Sequence, residues 1–225
     1  MDICLIRHAE PDWMPEGRHR MDPALTDRGI EQAARLAERA ENWPEVDAIW
    51  VSPALRAQQT AEPLIERLDV PVRTLDWLLE AQPTDLEGLT RAEIRQRIGG
   101  MRGRPLDEWW HGLPGGEDLR AFTKRIADGW NAELTSLGAS RTTEPPHWRD
   151  LPRELRVVVV CHAGTSGASL GHLLGVEPVP WSWERFRLGH AGLVVVRSRA
   201  MSTGHIFALD RFNERDHLPR TLHTF

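Results

Sequence analysis

Histidine and arginine residues follow three apolar segments of this 225-residue chain, close to where each apolar run stops. Arg7 and His8 follow the first segment, Arg56 lies shortly after the second, and His162 follows the third. A neutral imidazole with one nitrogen held by a hydrogen bond can use the other as a nucleophile toward phosphorus. Guanidinium groups bind the oxygens over which a transferring phosphoryl group spreads its charge. These residue types suit phosphoryl transfer, with Arg7, Arg56 and His162 around the phosphate. The alternative, for each residue taken alone, is a structural or surface histidine and a solvated arginine.

The elements that must position these residues alternate between strands and helices. Short apolar runs rich in β-branched residues predict strands at 3–6, 47–51, 72–75, 155–161, 193–196 and 206–209. Apolar residues at helical spacing predict a first helix that Thr26 or Asp27 caps, and further helices at 55–68, 90–98 and 164–174. Another helix is predicted to run for about five turns from Glu117. Pro63 is expected to kink or divide the second helix. The polar, proline-rich residues 139–153 are expected to form a surface excursion.

This alternation predicts an α/β fold, a three-layer α/β/α sandwich in which helices cover both faces of a mostly parallel mixed sheet. In an open sheet of this kind, ligands bind beyond the carboxyl ends of the strands. Three of the predicted strands end at Arg7-His8, Ser52-Pro53 and His162. The predicted topology therefore brings the candidate residues to one edge of the sheet.

The composition limits the classes of function. The chain is 40% hydrophobic and 27% charged, so a single domain spanning 1–225 is expected. A net charge of -5 gives no general basic field, so no nucleic-acid partner is expected. Cys4 and Cys161 lie in apolar runs and suggest no disulfide, which favours a cytoplasmic location. No apolar stretch approaches the ~20 residues that cross a bilayer and no signal peptide is recognisable, so no membrane partner is expected.

Five segments resemble, in order, the motifs of the histidine phosphatase, or phosphoglycerate mutase-like, superfamily. They read LIRHAE, DPALTDRGIEQA, SPALRAQQTA, LLEAQPTDLEG and VVVVCHAG, and they cover essentially the whole chain. The resemblance implies the phosphoglycerate mutase-like sandwich and a reaction in which His8 is the nucleophile and becomes phosphorylated. Glu80 matches the acidic residue of the family's L-x-E element, which implies that it donates the proton that a leaving alkoxide needs. Glu87 matches a second family glutamate, for which a supporting role is expected.

The implied function is that of a phosphatase that hydrolyses the phosphate monoester of a small metabolite. Metabolic mutases of the family carry Arg-His-Tyr-Gly after the acid, whereas residues 81–84 read AQPT and the chain has no tyrosine, which favours hydrolysis over mutase-type transfer. A non-catalytic member that only binds phosphorylated ligands is another alternative, and the full set of candidate residues argues against it. No His-Glu-x-x-His motif or cysteine cluster is present, so a metal-independent enzyme without a cofactor is expected.

Three positions depart from the usual family pattern. Ala9 stands where many members have glycine, Pro11 where many have threonine, and Met14 where many have asparagine. The missing amide puts one phosphate contact in doubt. Basic residues on the same loop are candidates to replace it, with a solvated basic cluster as the alternative. The candidate loop residues are Arg18, His19 and Arg20, and the candidate substrate-binding residues are Arg18, His19, Trp13, Glu87 and Gly164.

Tryptophans mark the expected leaving-group side of the site. The chain has ten, and residues 86–116 are predicted to form an insertion or lid that contains Trp109 and Trp110. A ring from this pair, or Trp13, would offer an apolar face to an aromatic leaving group. The alternative is that these rings pack the insertion onto the body of the protein. The sequence leaves open both the physiological substrate and the oligomeric state, for which a homodimer is one possibility.

Overall fold

The computed structural model describes residues 1–100, 103–144, 146–152 and 154–225. Within these residues the strands are β1 (Asp2–Arg7), β2 (Ala48–Val51), β3 (Val72–Thr74), β4 (Ser140–Thr143), β5 (Pro146–Arg149), β6 (Arg156–Cys161), β7 (Leu193–Met201) and β8 (Gly204–Glu214). The α-helices are α1 (Asp27–Ala40), α2 (Leu55–Leu68), α3 (Arg91–Ile98), α4 (Leu119–Ser136), α5 (Ala163–Leu173) and α6 (Ser182–Arg185). Short 3-10 helices cover Pro15–Gly17, Asp76–Leu78, Leu106–His111 and Arg220–Leu222.

The strands form one mixed sheet in the order β3-β2-β6-β1-β7-β8-β5-β4. β3, β2, β6 and β1 form a parallel block, and the remaining neighbours are antiparallel. The last residues of β1 and β6, Arg7 and Cys161, lie side by side. The residues that follow these parallel strands, His8, Ser52 and His162, therefore meet at the carboxyl edge of the block.

Helices cover both faces of the parallel block. Residues of α1 and α2 share one apolar core with Cys4 and Ile6, whereas residues of α4 and α5 share the other with Ile3 and Leu5. Because successive residues of a strand enter opposite cores, a strand buried on both faces reads as a continuous apolar run. The prediction of an α/β sandwich around a mixed sheet is confirmed, with parallel pairing in three of the seven strand pairs among the described residues rather than in most of them.

The segment 139–153 is not the surface excursion that its composition predicted, because it contributes β4 and β5 to the sheet. Residues 145 and 153 of this segment lie outside the described part of the chain. β5 joins β8 where Trp148 pairs with His205, and Trp148 is only 2% exposed. β4 is the edge strand and β5, next to it, pairs with β8 only at Trp148 within the described residues. Strands at the side of a sheet tolerate proline and polar side chains, so the composition concealed these two.

Two other elements differ from their predicted form. The hairpin of β7 and β8 extends well beyond the two short strands expected. The helix α2 runs without a break through Pro63, so the expected division is not observed. Ala57, Ala61 and Leu64 of this helix are fully buried in the core with α1, and we attribute the continuity of the helix to this packing.

The predicted insertion at about 86–116 contains α3 and the 3-10 helix Leu106–His111, and its residues 101 and 102 lie outside the described part of the chain. Cys4 and Cys161 are buried free thiols, and burial raises the pKa of both to about 12. None of the helices described is long and apolar enough to cross a bilayer.

Candidate active site

His8 follows β1 and is almost completely buried, with 3% of its surface exposed. Its Nδ1 donates a hydrogen bond to the carbonyl oxygen of Ala9 at 2.8 Å, so Nε2 keeps its lone pair. Burial lowers the pKa of His8 well below its usual value, and charge interactions with His162, Arg56 and Arg7 add to this effect. His8 is therefore neutral at pH 7, and one of its ring nitrogens is available as a nucleophile.

Two arginines lie next to this imidazole, of which Arg7 is half-buried and Arg56 is buried. Arg7 donates from its terminal nitrogens to the carbonyl of Leu188 at 2.7 Å and to Nε2 of His190 at 3.0 Å. Arg56 is 6% exposed and pairs with Asp22 at 3.4 Å. Burial lowers the pKa of Arg7 to about 10 and also lowers the pKa of Arg56, but a guanidinium keeps its charge at neutral pH.

His162 completes the group from the end of β6. Its ring centre is 5.2 Å from that of His8, and burial lowers its pKa, so the ring is neutral. Nε2 of His162 lies 2.8 Å from the hydroxyl of Ser52, and that hydroxyl accepts a hydrogen bond from the backbone N–H of Ala54. The Ser52 hydroxyl can therefore donate a hydrogen bond to Nε2 of His162. In that arrangement Nε2 is the acceptor, and the ring proton of His162 is on Nδ1.

Three buried donors near His8 are not used within the described part of the chain. They are Nε of Arg7, Nε of Arg56 and Nδ1 of His162. Buried donors normally have a partner, and donors on cations attract an anion, so the set suits the oxygens of a phosphoryl group. No three His, Cys, Asp or Glu side chains of the described residues are arranged to hold a metal ion.

Glu80 lies against the N-terminus of α5. Its carboxylate accepts hydrogen bonds from the backbone N–H groups of Gly164 at 2.8 Å, Thr165 at 3.1 Å and Ala81 at 3.0 Å. A Cβ atom on Gly164 would lie 2.4 Å from Oε1 of Glu80, so only glycine permits this approach. Since α5 begins directly after His162, one junction of strand and helix positions both this histidine and the carboxylate.

A cavity of about 450 Å³ adjoins Glu80 and Gly164. Its walls come from the segment after Glu80, from the insertion and from the start of α4, and they are largely apolar. The apolar wall residues include Pro83, Ile98, Trp109, Leu113, Leu119 and Phe122. The cavity has the size and position to hold the group attached to a bound phosphate.

The two adjacent tryptophans of the insertion have different surroundings. Trp109 lines the cavity, donates from Nε1 to the carbonyl of Arg104 at 3.3 Å, and meets the ring of Trp181 edge to face. Trp110 instead packs against the core, and the guanidinium of Arg120 lies 4.8 Å from its ring centre. The ring of Trp109 therefore faces the cavity, whereas the ring of Trp110 packs against the body of the protein.

The first loop, residues 9–25, brings Trp13 to the phosphate side of the site. The guanidinium of Arg56 lies 4.9 Å from the Trp13 ring centre, a cation–π contact, and His19 stacks on Trp13 at 5.6 Å. Trp13 remains 37% exposed. Trp13 thus contacts Arg56, a candidate phosphate-binding residue, and does not line the apolar cavity.

The basic residues of the first loop engage residues 86–89. Glu87 accepts hydrogen bonds from Arg20 at 2.9 Å and from the backbone N–H of Met21 at 2.7 Å, while Arg18 donates to the carbonyl of Gly88 at 3.0 Å. The bond from Met21 is the main cause of the lowered pKa of Glu87. These contacts brace the loop, and substrate binding by Arg18, His19 or Glu87 stays a prediction.

Several residues that hold the site were missed by sequence analysis. His190 and Ser52 bind its side chains, as described above, and Thr60 accepts a hydrogen bond from the first-loop backbone at 2.9 Å. Arg125 donates to three backbone carbonyls of the segment that ends at Glu80. Ser52 carried a signal, because it ends a predicted strand. The other three lie in helices or a loop whose patterns do not indicate what they contact.

The sequence pattern described as the histidine phosphatase superfamily (branch 1) matches residues 3–205. Phosphoserine phosphatase 1 of Hydrogenobacter thermophilus is 29% identical over 178 residues, which cover 78% of this chain and 77% of that one. A probable phosphoglycerate mutase of Salmonella choleraesuis is 28% identical over 206 residues, covering 86% and 83%. The solved structure of a mycobacterial glucosyl-3-phosphoglycerate phosphatase in complex with VO3 is 28% identical, with a TM-score of 0.68 over 94% and 98% of the two chains. The chain therefore belongs to the histidine phosphatase superfamily (branch 1).

Proposed function

We propose that the chain is a phosphatase that hydrolyses the phosphate monoester of a small metabolite through a phosphohistidine on His8. The observation that carries this proposal is the set of three unused buried donors beside a neutral imidazole whose Nδ1 is already bonded. A phosphoryl group at that position would meet a nucleophile on one side and cationic donors around its oxygens. Relatives that are named phosphatases support the same reaction class.

In the first step, Nε2 of His8 attacks the phosphorus and the bond from phosphorus to the leaving oxygen breaks. Arg7, Arg56 and His162 donate hydrogen bonds to the phosphoryl oxygens, on which charge is spread in the transition state. Glu80 in its protonated form gives its proton to the leaving oxygen, so that an alcohol departs. The hydrogen bond from Nδ1 to a backbone carbonyl stabilises the positive charge of the phosphorylated ring.

In the second step, water attacks the phosphohistidine from the side that the alcohol has left. Glu80, now a carboxylate, accepts a proton from that water as the bond between phosphorus and nitrogen breaks. The electron pair of this bond returns to Nε2 of His8, and inorganic phosphate leaves. One ester and one water thus yield one alcohol and one phosphate, with the enzyme restored.

The cavity beside Glu80 favours hydrolysis over transfer between two positions of a doubly phosphorylated ligand. Arg104 is the only cation among its described lining residues, whereas Glu80, Glu117 and Glu184 are carboxylates. Glu117 is paired with Arg125, which leaves Glu80 and Glu184 against the one cation. An excess of negative charge disfavours a second phosphoryl group in this space. Water, in contrast, is neutral and small enough to reach the phosphorylated imidazole.

His8→Ala is expected to lower kcat/KM for p-nitrophenyl phosphate by about a thousandfold or more, because the nucleophile is lost. Hydrolysis by the unaltered protein is expected to persist in EDTA, because Arg7 and Arg56 supply the positive charge. Both are measured as released phosphate, with thermal melting recorded to establish that the variant is folded.

His205→Ala is the matched control, since His205 lies at the end of the β7–β8 hairpin that is remote from His8. This control should retain full activity. Near-normal hydrolysis by folded His8→Ala protein would contradict the proposal, as would activity that EDTA removes and a divalent ion restores. Exchange of phosphoglycerate isomers that outruns phosphate release would identify a mutase instead.

Gly164→Ala is expected to lower kcat/KM, which reports only the steps through formation of the phosphohistidine, by about a hundredfold on an alkyl phosphate such as glycerol 2-phosphate, because its Cβ would displace the Glu80 carboxylate. The loss should be much smaller for p-nitrophenyl phosphate, whose leaving group departs without needing a proton. Steady-state kinetics on both substrates measure the difference.

Gly171→Ala makes the same change in α5 at a position where the nearest atom lies 3.9 Å from the added Cβ, so it should leave both rates unchanged. Equal losses on the two substrates in Gly164→Ala, or no loss on either, would argue against Glu80 as the proton donor.

The apolar lining of the cavity also favours substrates whose leaving group is flat and largely apolar and stacks on Trp109. Trp109→Ala is expected to lower kcat/KM for 1-naphthyl phosphate by about threefold to tenfold, the range for loss of an aromatic contact, and to spare glycerol 2-phosphate. The melting temperature of this variant should stay close to that of the unaltered protein.

Trp110→Ala is the control from the adjacent position, and it should lower the melting temperature without changing the ratio of the two kcat/KM values. Trp13→Ala should lower kcat/KM for both substrates alike, since Trp13 contacts Arg56. An unchanged substrate ratio in Trp109→Ala would mean that this ring only packs the insertion onto the body.

A further inference from the structure

A chain of hydrogen bonds links Arg7 to the C-terminal segment, residues 215–225. Nη2 of Arg7 lies 3.0 Å from Nε2 of His190, and Nδ1 of His190 lies 2.8 Å from the hydroxyl of Thr224. A guanidinium can only donate, so Nε2 of His190 is the acceptor and the ring proton is on Nδ1. His190 therefore donates to Thr224 while it accepts from Arg7.

His190 keeps this role because its ring is not protonated at neutral pH. It is 4% exposed, and burial, followed by the charges of Arg7 and Arg215, lowers its pKa to about 3. Its ring centre lies 5.6 Å from that of His8. Since the carbonyl of Leu188 accepts from the other terminal nitrogen of Arg7, two acceptors set the plane of the guanidinium and leave its Nε for another partner.

Thr224 is itself held by contacts from other elements. Gln32 of α1 donates from Nε2 to the Thr224 hydroxyl at 3.0 Å and to the carbonyl of Leu222 at 2.7 Å. Its Oε1 accepts from the backbone N–H of Glu10 at 2.8 Å, which ties the same side chain to the first loop. The backbone N–H of His190 donates to the carbonyl of Thr224 at 3.2 Å. The hydroxyl that His190 contacts is therefore in a fixed position.

Apolar packing fastens the C-terminal segment at the same place. Leu218 and Leu222 are buried in a small core together with Ala9 and Ala191, the residues that follow His8 and His190. The backbone N–H of Ala191 also donates to the carbonyl of His8. Both the polar chain and this small core thus connect the segment to the phosphate site.

We propose that the C-terminal segment positions Arg7 for phosphate binding, with Thr224 acting through His190. Both are positioning residues, since neither touches the phosphoryl group in the proposed mechanism. The superfamily match ends at residue 205, so Thr224 lies outside the matched region. The inference rests on the proposed function only in that Arg7 binds phosphate, and the affinity for inorganic phosphate can be measured without turnover.

Thr224→Val removes the hydroxyl at nearly constant side-chain volume, whereas Thr224→Ser keeps the hydroxyl and removes only the methyl group. Thr224→Val is expected to raise the dissociation constant for inorganic phosphate and the KM for p-nitrophenyl phosphate by about tenfold each, the effect of a misplaced hydrogen bond to a charged group. Thr224→Ser should stay within about twofold of the unaltered protein. Isothermal titration gives the dissociation constant, and steady-state kinetics give KM and kcat separately.

Thr221→Val is the matched control, because Thr221 is exposed in the same segment. It should change neither constant. If Thr224 acts through His190, Thr224→Val should have almost no further effect on phosphate affinity in a His190→Ala background.

Three results would overturn the inference: unchanged phosphate affinity in Thr224→Val, equal losses in the Ser and Val variants, or additive losses in the double variant. A protein that binds phosphate with the expected variant pattern and hydrolyses no ester would instead support the positioning role while contradicting the proposed phosphatase.

Discussion

The structure depends on holding cationic and neutral nitrogen donors together at one buried edge of the sheet. Removing a guanidinium from water costs several kcal/mol unless its hydrogen bonds are replaced. Arg7 replaces them with a backbone carbonyl and a neutral histidine, and Arg56 with Asp22 and the face of Trp13. The same burial, together with the nearby charges, lowers the pKa of His8 and keeps it unprotonated. One environment therefore provides both the anion site and the nucleophile.

The parallel block of the sheet is what makes this arrangement possible. Adjacent parallel strands end at the same edge, so residues far apart in sequence are brought together without a long loop. At the end of β6, His162 passes directly into α5, whose first N–H groups hold Glu80. A helix N-terminus favours a carboxylate, and Gly164 lets the carboxylate approach closely. The position of the candidate proton donor is thus coupled to the position of a phosphate ligand.

The parts of the site that lie at strand ends could be predicted from the sequence. Arg7, His8 and His162 border apolar runs, and their convergence follows from the topology of a parallel sheet. The partner of Arg7 could not be predicted in this way, because 183 positions separate it from His190 and no local pattern encodes that contact. Trp109 and Trp110 could not be told apart either, since identical neighbours differ only in which way the folded insertion turns them.

The last two strands at one side of the sheet, β5 and the edge strand β4, show the same limit for the fold. Their polar residues, and Pro146 at the start of β5, are typical of loops, and a single buried tryptophan, Trp148, marks the face that packs against the core. A strand buried on both faces has a strong local signature, whereas an edge strand depends on what lies beside it. Sequence patterns thus predicted the centre of the molecule better than its rim.

The central claim is that phosphate becomes covalently attached to Nε2 of His8. The most direct measurement is to mix the protein with p-nitrophenyl phosphate, quench it in alkaline denaturant, where phosphohistidine survives, and locate the phosphoryl group by peptide mass spectrometry. The account predicts one phosphoryl group on the peptide that contains His8, formed at least as fast as turnover and absent from His8→Ala. Rapid turnover without phosphorylation of that peptide, or a phosphoryl group on another residue, would contradict it.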